Sequence, residues 1–327
     1  MKPLRVLVYS PDPIQTQEWS SELSKQSVAR GLPLQFCPLL NEEGDVEAAK
    51  LDRAAAADYA IGWKPYPAFF SQHPKLKAFF NAGAGVDYFL NNPAVASQIP
   101  AQLPIIRLED AGMAQQMIDY CRHQVLDWMY RNPQYREQQK NQLWIEHPAP
   151  RRANFPIGVF GLGVLGSTLA KAFAADGFKV FGHASTPKQI EGVHFEPNFE
   201  KFLAASKVLI LLAPATAQTH QVMCAKTFAQ LPKGALLLNV ARGALVHETD
   251  LLRALDSSQL GGACLDVFEQ EPLPAANPLW SHPLVRITPH SSAATLIDLA
   301  AEQILAKIAA HAAGQTVSGK IDMQRGY

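Results

Sequence analysis

The segment that most constrains the fold of this 327-residue chain is the glycine-rich stretch Gly161-Leu162-Gly163-Val164-Leu165-Gly166. A short apolar run, residues 157–160, precedes it, and Leu165, Leu169 and Phe173 follow at helical spacing. A GxGxxG turn between a strand and a helix is typical of dinucleotide binding. Its first glycine permits the tight turn, its second lets the backbone approach a pyrophosphate, and its third lets helix and strand pack closely. The alternative is a glycine-rich turn that serves only packing.

Short apolar runs of strand length recur on both sides of this turn, with more polar, helix-compatible stretches between them. The chain length already favours about two domains. Because buried parallel strands are short and continuously apolar, the alternation predicts an α/β fold with two parallel-sheet units in tandem. The predicted strands are residues 5–9, 34–39, 59–63, 76–82 and 105–108 in the first series and residues 157–160, 178–182, 208–212, 235–241, 263–268 and 285–288 in the second.

Two further segments are predicted to be helical. Residues 112–144 carry apolar side chains at a spacing closer to 3.6 than to 2. Residues 295–312 carry an apolar stripe and are followed by Gly314, a helix stop signal. Because this last helix comes after a complete sheet, we expect it to pack on the first unit.

Composition excludes several classes of partner. With 29 basic and 29 acidic residues the formal net charge is zero, which argues against nucleic acid or an anionic membrane as partner. Every apolar run is shorter than the ~18 residues that span a bilayer, and residues 1–10 show no leader pattern, so we expect a cytoplasmic protein. The widely spaced cysteines match neither a zinc site nor a redox motif, which predicts reduced thiols and no bound metal: Cys37, Cys121, Cys224 and Cys264.

The end of the strand after the fingerprint indicates which dinucleotide is bound. An NAD-preferring fold carries Asp or Glu there to accept hydrogen bonds from the ribose 2′-hydroxyl. This chain instead reads His183-Ala184-Ser185-Thr186-Pro187-Lys188, without a carboxylate. Two hydroxyls, a histidine and Lys188 favour the 2′-phosphate of NADP over NAD, although Lys188 as a solvated loop lysine is the alternative.

Three side chains in the second half suit the reduction of a 2-oxo acid. This chemistry needs a cation for the carboxylate and carbonyl, a general acid for the new alkoxide, and a carboxylate that orients the acid. Arg242, Glu271 and His290 each follow a predicted strand, and ligands bind outside the carboxyl ends of the strands in open α/β sheets. We therefore expect the three to converge.

Each of the three also has a purely structural interpretation. Arg242 can form a structural ion pair, since Gly243 allows a bend and a paired arginine is readily buried. His290 can cap the turn that follows it, and either Glu269 or Glu271 can face solvent. In the first half, residues 81–87, Asn-Ala-Gly-Ala-Gly-Val-Asp, form either a nest of backbone N–H groups for a carboxylate or a simple packing turn.

Together these motifs resemble the D-isomer-specific 2-hydroxyacid dehydrogenase family, and within it the glyoxylate/hydroxypyruvate reductase A branch. The family resemblance rests on motifs that follow in the family's order: residues 83–87, 161–166, 239–243, 265–268, 271–272 and 288–290. The branch resemblance rests on Trp63, on residues 107–113, 272–274 and 278–280, and on the terminal Arg325-Gly326-Tyr327.

The resemblance implies a role for each member of the site. Arg242 would bind the carboxylate and carbonyl of the 2-oxo acid, His290 would donate the proton, and Glu271 would keep the imidazole protonated and aimed. The amides of Ala84 and Gly85 would bind the substrate carboxylate.

The resemblance also implies how large the substrate is and where the cofactor contacts the chain. Trp63 would line a pocket for an acid of two or three carbons. Asp266 would meet the nicotinamide carboxamide. The fingerprint, the end of the strand after it and the resemblance together predict these cofactor residues: Gly161, Gly163, Val164, Leu165, Gly166, Ser185, Thr186, Lys188, Ala213, Pro214, Thr216, Val240, Ala241 and Asp266.

The domain organisation implied by the resemblance is discontinuous. A Rossmann-type NAD(P)-binding domain, residues 108–291, would be inserted in a flavodoxin-like substrate domain made of residues 1–107 and 292–327. Residues 112–144 would form the dimerisation segment of a homodimer.

The implied activity is the NADPH-preferring reduction of glyoxylate to glycolate and of hydroxypyruvate to D-glycerate, with NADH as a possible cofactor. Ser185 and Pro187 stand where the branch usually has arginines, which bears on the strength of the NADP preference. Two alternatives remain: a dehydrogenase for a larger D-2-hydroxy acid, and a dinucleotide-sensing, corepressor-like binding protein.

Overall fold

The computed structural model describes residues 3–39 and 57–323, so the terminal Arg325-Gly326-Tyr327 motif lies outside the described residues. The chain forms two compact units. Unit 1 contains the described residues up to Gly112 together with those from Thr295 onward, and unit 2 is Met113–Ala294. Unit 2 is therefore inserted between two segments of unit 1.

Unit 1 is built on a five-stranded parallel sheet in the order β2-β1-β3-β4-β5, the flavodoxin-like order. Strands β3 and β4 are buried at every position, as expected for a sheet covered on both faces. The elements are β1 (Leu4–Tyr9), α1 (Pro13–Ala29), β2 (Leu34–Leu39), β3 (Tyr59–Gly62), α2 (Phe69–Gln72), β4 (Ala78–Asn81), α3 (Asp87–Asn91), α4 (Pro93–Ala96) and β5 (Ile105–Arg107).

Unit 2 is larger and starts with two helices before its sheet. The helical elements are α5 (Met113–Met129), α6 (Asn132–Lys140), α7 (Val164–Ala175), α8 (Phe199–Ala205), α9 (Ala225–Phe228) and α10 (Glu248–Asp256). The strands are β6 (Ile157–Phe160), β7 (Val180–His183), β8 (Val193–Phe195), β9 (Val208–Leu211), β10 (Ala235–Asn239), β11 (Leu260–Leu265) and β12 (Val285–Ile287).

All strands of unit 2 are parallel, in the order β8-β7-β6-β9-β10-β11-β12. Numbered within the unit, this is 3-2-1-4-5-6 with one further strand, the Rossmann order. The order reverses between β6 and β9, which is where such sheets bind their ligands. The predicted fold class, α/β with a Rossmann-type unit inserted in a flavodoxin-like one, is confirmed.

The last helix, α11 (Ile297–Ala312), belongs to unit 1 as expected. Its Lys307 is only 8% exposed and donates to the carbonyl of Arg107 at 2.9 Å and to Glu109 Oε2 at 3.0 Å. The same ammonium donates to the carbonyl of Ser318 at 3.1 Å, and Lys320 forms an antiparallel bridge with Ile106 of β5. The C-terminal segment therefore completes the edge of the first sheet.

Two elements differ from the prediction. The helical segment predicted over residues 112–144 is two helices, because Arg131 adopts a left-handed backbone (φ +59°). A new helix starts directly after it at Asn132, with Pro133 in its first turn. Strand β8 was not predicted, since it has three residues between Gly192 and Pro197 and lies partly exposed at the sheet edge.

Within residues 3–39 and 57–323, no helix has both the length and the apolar character needed to cross a bilayer. The same residues contain no group of three or more His, Cys, Asp or Glu side chains arranged to hold a metal ion.

Candidate functional site

The fingerprint turn lies between β6 and α7 and leaves the start of the helix open. Gly161 has φ +103°, and a Cβ there would overlap the backbone N of Ala213. A Cβ on Gly166 would overlap the carbonyl oxygen of Gly161, whereas a Cβ on Gly163 would have no atom within 4 Å. No side chain caps the N-terminus of α7. Unpaired N–H groups, a positive helix end and free space fit a pyrophosphate.

The loop after β9 flanks this turn at the point where the strand order reverses. Leu212 N donates to the carbonyl of Phe160 at 2.7 Å, which ties the loop to the end of β6. Thr219 Oγ1 donates to the carbonyl of Pro214 at 2.6 Å and accepts from Thr216 N at 2.8 Å. These bonds fix the backbone of the predicted cofactor residues in the loop, of which Ala213 is buried and Pro214 is exposed.

The end of β7 presents the predicted NADP determinants. His183 is the last residue of the strand, and its Nδ1 lies 2.8 Å from the carbonyl of Glu196. Since a carbonyl only accepts, this nitrogen carries the proton. Ser185, Thr186 and Lys188 follow on an exposed loop. Residues 184–188 include no acidic residue, so the loop itself carries no negative charge that would repel a 2′-phosphate.

Arg242 follows β10, and the chain there is held by Asn239. The buried Asn239 side chain donates to the carbonyl of Arg242 at 2.9 Å and accepts from Ala241 N at 3.2 Å. A Cβ on Gly243 would overlap the Phe268–Glu269 peptide, so glycine is required for close backbone contact between the two loops. Val240 and Ala241, which precede Arg242, are buried. The Arg242 guanidinium donates to the carbonyl of Ala241 at 2.6 Å.

Glu271 and His290 form a hydrogen-bonded pair. His290 Nδ1 lies 2.8 Å from Glu271 Oε2, and the other carboxylate oxygen accepts from Phe268 N at 3.0 Å. The carboxylate is therefore fixed at both ends, while the two side chains remain 49% and 37% exposed. The carboxylate that bonds to His290 is therefore that of Glu271, although its side chain is also exposed to solvent. The imidazole Nε2 remains available to exchange a proton with a ligand.

Asp266 directly follows β11 and binds the segment that carries His290. It has no exposed surface. Its Oδ1 accepts from Thr288 Oγ1 at 2.6 Å and from Ser291 N at 2.8 Å, and its Oδ2 accepts from Ser292 N at 2.9 Å. Oδ1 thus binds residues on both sides of His290, and Oδ2 binds a residue after it. The contact between Asp266 and a nicotinamide stays a prediction.

In unit 1, the turn after β4 is shaped by Asn81. Its buried side-chain amide donates to the carbonyls of Gly83 and Gly85, both at 2.8 Å. Those carbonyls are therefore directed inward, and Ala84 and Gly85 are partly exposed. Trp63, which follows β3, packs against Gly83 so closely that a Cβ there would overlap its ring.

Several of these residues were not identified from the sequence. Asn81 and Asn239 each sit at the end of a buried strand, where an isolated amide signals a side chain that binds the following turn. Thr288 lies within a recognised motif, but its partners Asp266 and Tyr120 are distant in sequence, so no local pattern reveals them.

Comparison with known proteins places the chain among related sequences. Residues 123–292 match the family model described as D-isomer specific 2-hydroxyacid dehydrogenase, NAD binding domain. A glyoxylate/hydroxypyruvate reductase A of Serratia proteamaculans is 40% identical over 99% of this chain and 100% of its own length. The reductase of the same name from Yersinia enterocolitica is 42% identical over 83% of this chain and 88% of its own length.

Two crystal structures share the fold over the full chain. A D-isomer specific 2-hydroxyacid dehydrogenase from Xanthobacter autotrophicus Py2, in complex with NADPH and MES, has a TM-score of 0.90 at 34% identity and covers 100% of both chains. An NADPH-dependent glyoxylate/hydroxypyruvate reductase from Sinorhizobium meliloti, in complex with NADP and sulfate, has a TM-score of 0.86 at 30% identity and covers 99% of this chain and 100% of its own. The chain belongs to the D-isomer specific 2-hydroxyacid dehydrogenase family.

Proposed function

We propose that this protein reduces glyoxylate to glycolate and hydroxypyruvate to D-glycerate with NADPH. The observation that carries the proposal is the 2.8 Å hydrogen bond between His290 Nδ1 and Glu271, which orients an exposed imidazole beside the carboxyl end of the unit 2 sheet. Support also comes from the relatives, 40% and 42% identical, that bear the name glyoxylate/hydroxypyruvate reductase A.

His290 is the proton donor of the reduction. Because Nδ1 is bonded to Glu271, the ring donates through Nε2, which gives its proton to the oxygen of the former carbonyl. Glu271 sets the direction of the ring, since its second oxygen is held by Phe268 N. After transfer the imidazole is neutral and recovers its proton from solvent, to which it is half exposed.

Arg242 binds the carboxylate of the 2-oxo acid and polarises its carbonyl. A guanidinium offers several donors in a planar fork, which suits a carboxylate beside a carbonyl. The backbone beneath it is held by Asn239 and by the close contact at Gly243, so the side chain starts from a fixed position. We further propose that the amides of Ala84 and Gly85 bind the same carboxylate and that Trp63 restricts the length of the acid.

The open turn at residues 161–166 fits the pyrophosphate of NADPH, which when bound supplies the hydride for carbon 2 of the substrate. Ser185, Thr186 and Lys188 bind its 2′-phosphate, since they are exposed at the strand end where an acidic residue would favour NAD. The loop at Ala213, Pro214 and Thr216 and the residues Val240 and Ala241 complete the cofactor site.

We propose a homodimer assembled through the segment at residues 112–144. The end of this segment and the residues after it expose several large apolar side chains, which favours contact with a second copy. Trp144 is 93% exposed, and the others are Tyr130, Tyr135, Leu143 and Ile145. Sedimentation equilibrium of the wild type and of Trp144→Ser tests this, and a monomeric wild type would contradict it.

The experiment that tests the activity is the oxidation of NADPH and of NADH with glyoxylate, hydroxypyruvate and pyruvate in one buffer. We expect fast NADPH oxidation with the first two acids and little with pyruvate. If all three are inert while NADPH binds, larger 2-oxo acids or a dinucleotide-sensing role replace the proposal.

The roles of the two side chains are tested by substitution. His290→Gln should lower kcat by about 100-fold or more with little change in the NADPH Kd, because general acid catalysis contributes at least that much. Arg242→Lys keeps the charge but not the fork, and should raise KM and lower kcat together. Wild-type kinetics in either variant would refute the assigned role.

A further inference from the structure

Helix α5 carries a polar stripe that bonds to the segment bearing His290. Gln116, Tyr120 and Gln124 are spaced by four residues and so lie on one face of the helix. Gln116 exchanges two hydrogen bonds with the backbone of Ala294, at 2.9 and 3.1 Å. Gln124 Oε1 accepts from Arg286 Nη1 at 3.3 Å. The stripe therefore spans the chain from one side of His290 to the other.

Tyr120, in the middle of the stripe, makes the contact nearest to His290. Its hydroxyl lies 2.8 Å from Thr288 Oγ1, and Thr288 Oγ1 donates to Asp266 Oδ1 at 2.6 Å. A threonine hydroxyl has one hydrogen, which here goes to the carboxylate, so the Tyr120 hydroxyl is the donor in the first bond. Burial raises the pKa of Tyr120, which keeps that donor protonated.

The backbone at His290 needs such support. His290 has φ +52°, a left-handed conformation that is costly for a residue other than glycine and persists only where the surroundings hold it. The imidazole is half exposed, so packing around the ring does not hold it. The amides of His290, Ser291 and Ser292 all donate to Asp266, to its carbonyl or to its carboxylate.

We propose that Tyr120 is a positioning residue for His290, acting through Thr288 and Asp266. Tyr120 donates to Thr288, Thr288 fixes the rotation of the Asp266 carboxylate, and that carboxylate binds the two amides that follow His290. The expected effect on kcat rests on the proposed function. The expected fixed backbone at residues 290–292 is measurable without substrate or cofactor.

The test compares Tyr120→Phe with the wild type. Tyr66→Phe is the matched control, since the Tyr66 hydroxyl also makes one hydrogen bond, to Gln72 Oε1 at 2.6 Å, but belongs to unit 1. In Tyr120→Phe we expect the amides of Ser291 and Ser292 to exchange with deuterium about fivefold faster and kcat to fall about fivefold, the effect of one lost hydrogen bond. KM for glyoxylate should stay unchanged. A larger solvent deuterium isotope effect on kcat should accompany the loss.

Variants at Thr288 show whether the effect passes through this residue. Thr288→Ser keeps the hydroxyl and should behave as wild type. Thr288→Val should lower kcat and speed amide exchange more than Tyr120→Phe does. Because Thr288→Val already breaks the connection, adding Tyr120→Phe to it should change neither exchange nor kcat further. Losses that multiply in the double variant would overturn the proposal, since Tyr120 would then act by packing.

The exchange and rate measurements separate this proposal from the proposed function. Unchanged exchange in Tyr120→Phe overturns the positioning role, and so does faster exchange with an unchanged kcat. A wild-type protein that does not reduce glyoxylate contradicts the proposed function before any variant is compared. In that event faster amide exchange in Tyr120→Phe, but not in Tyr66→Phe, still supports the proposal that Tyr120 holds the backbone at residues 290–292.

Discussion

Both units contain a strand, a turn and a helix in succession, β1–α1 in unit 1 and β6–α7 in unit 2, but the helix start is capped by a side chain only in unit 1. In unit 1 the turn after β1 ends in Asp12, whose carboxylate accepts from Ile14 N at 2.9 Å and caps α1. Pro13 occupies the first position of that helix and has no N–H to offer. In unit 2 the turn after β6 ends in Gly163, and no side chain caps α7.

The difference shows that an anion can bind at a helix start only where no side chain of the protein already caps that helix. Both helices have a positive N-terminal end, yet in unit 1 the chain's own carboxylate already satisfies it. In unit 2 the glycines leave both the N–H groups and the surrounding space to a ligand. Topology alone therefore does not decide which of two similar parallel sheets binds a nucleotide, whereas the first turn does.

Gly161→Ala should have the largest effect, because it removes the geometry that distinguishes the unit 2 turn. Its Cβ would overlap backbone atoms of the next loop at a backbone of φ +103°, so we expect a loss of about 3 kcal/mol or more in unfolding free energy. Gly177→Ala is the matched control, since Gly177 also has positive φ (+84°) but only one side-chain atom nearby, at 3.8 Å. Chemical denaturation measures both, and equal losses would contradict the steric argument.

Gly163→Asp should convert the unit 2 turn into the unit 1 type. The new carboxylate has room, caps α7 and repels a pyrophosphate, so we expect the NADPH Kd to rise about 100-fold with an unchanged or higher melting temperature. Gly163→Asn supplies the same cap without the charge. If Asn weakens binding as much as Asp, steric exclusion rather than charge is responsible.

Lys188→Ala should weaken NADPH binding moderately, and it tests whether Lys188 in unit 2 binds the 2′-phosphate. An exposed charge-assisted contact to a phosphate contributes about 1 kcal/mol, so we expect the NADPH Kd to rise about fivefold while the NADH Kd stays constant. Lys226→Ala, at another exposed lysine, serves as the control. Parallel changes for NADPH and NADH would show that Lys188 does not bind the 2′-phosphate.

Asp12→Ala should have the smallest effect and should be confined to unit 1. Loss of the cap costs about 1 kcal/mol of unfolding free energy, and Asp12→Asn should restore it. Neither variant should alter the NADPH Kd measured by fluorescence titration. A weakened NADPH affinity in Asp12→Ala would show that the two turns are not independent.

Most of the fold was predictable because it leaves a local pattern. Runs such as residues 208–212 are apolar throughout, and the fingerprint marks the first strand and helix of unit 2. The predictions failed where the local signal is weak. Strand β8 is too short and too exposed to form an apolar run, and the helix break at Arg131 depends on one left-handed residue.

The site was predictable to the extent that its chemistry dictates residue types. Glu271 and His290 were paired from their strand-end positions, and the hydrogen bond between them is present. Gly243 was expected to allow a bend, but the structure shows that it allows close backbone contact with Phe268. The bond from Tyr120 to Thr288 joins residues 168 positions apart, and no periodicity or motif encodes such a contact.

The return of the chain to unit 1 has a consequence for the order in which a ribosome delivers its parts. Unit 2 is complete once Ala294 has been made. In unit 1, by contrast, β5 and Glu109 lack their contacts with Lys307 until that residue is synthesised. That buried ammonium is added 198 residues after its carboxylate partner. During synthesis the first-made unit is thus the last to be finished, and until then its sheet edge and Glu109 face the exit tunnel, chaperones and proteases without their final cover.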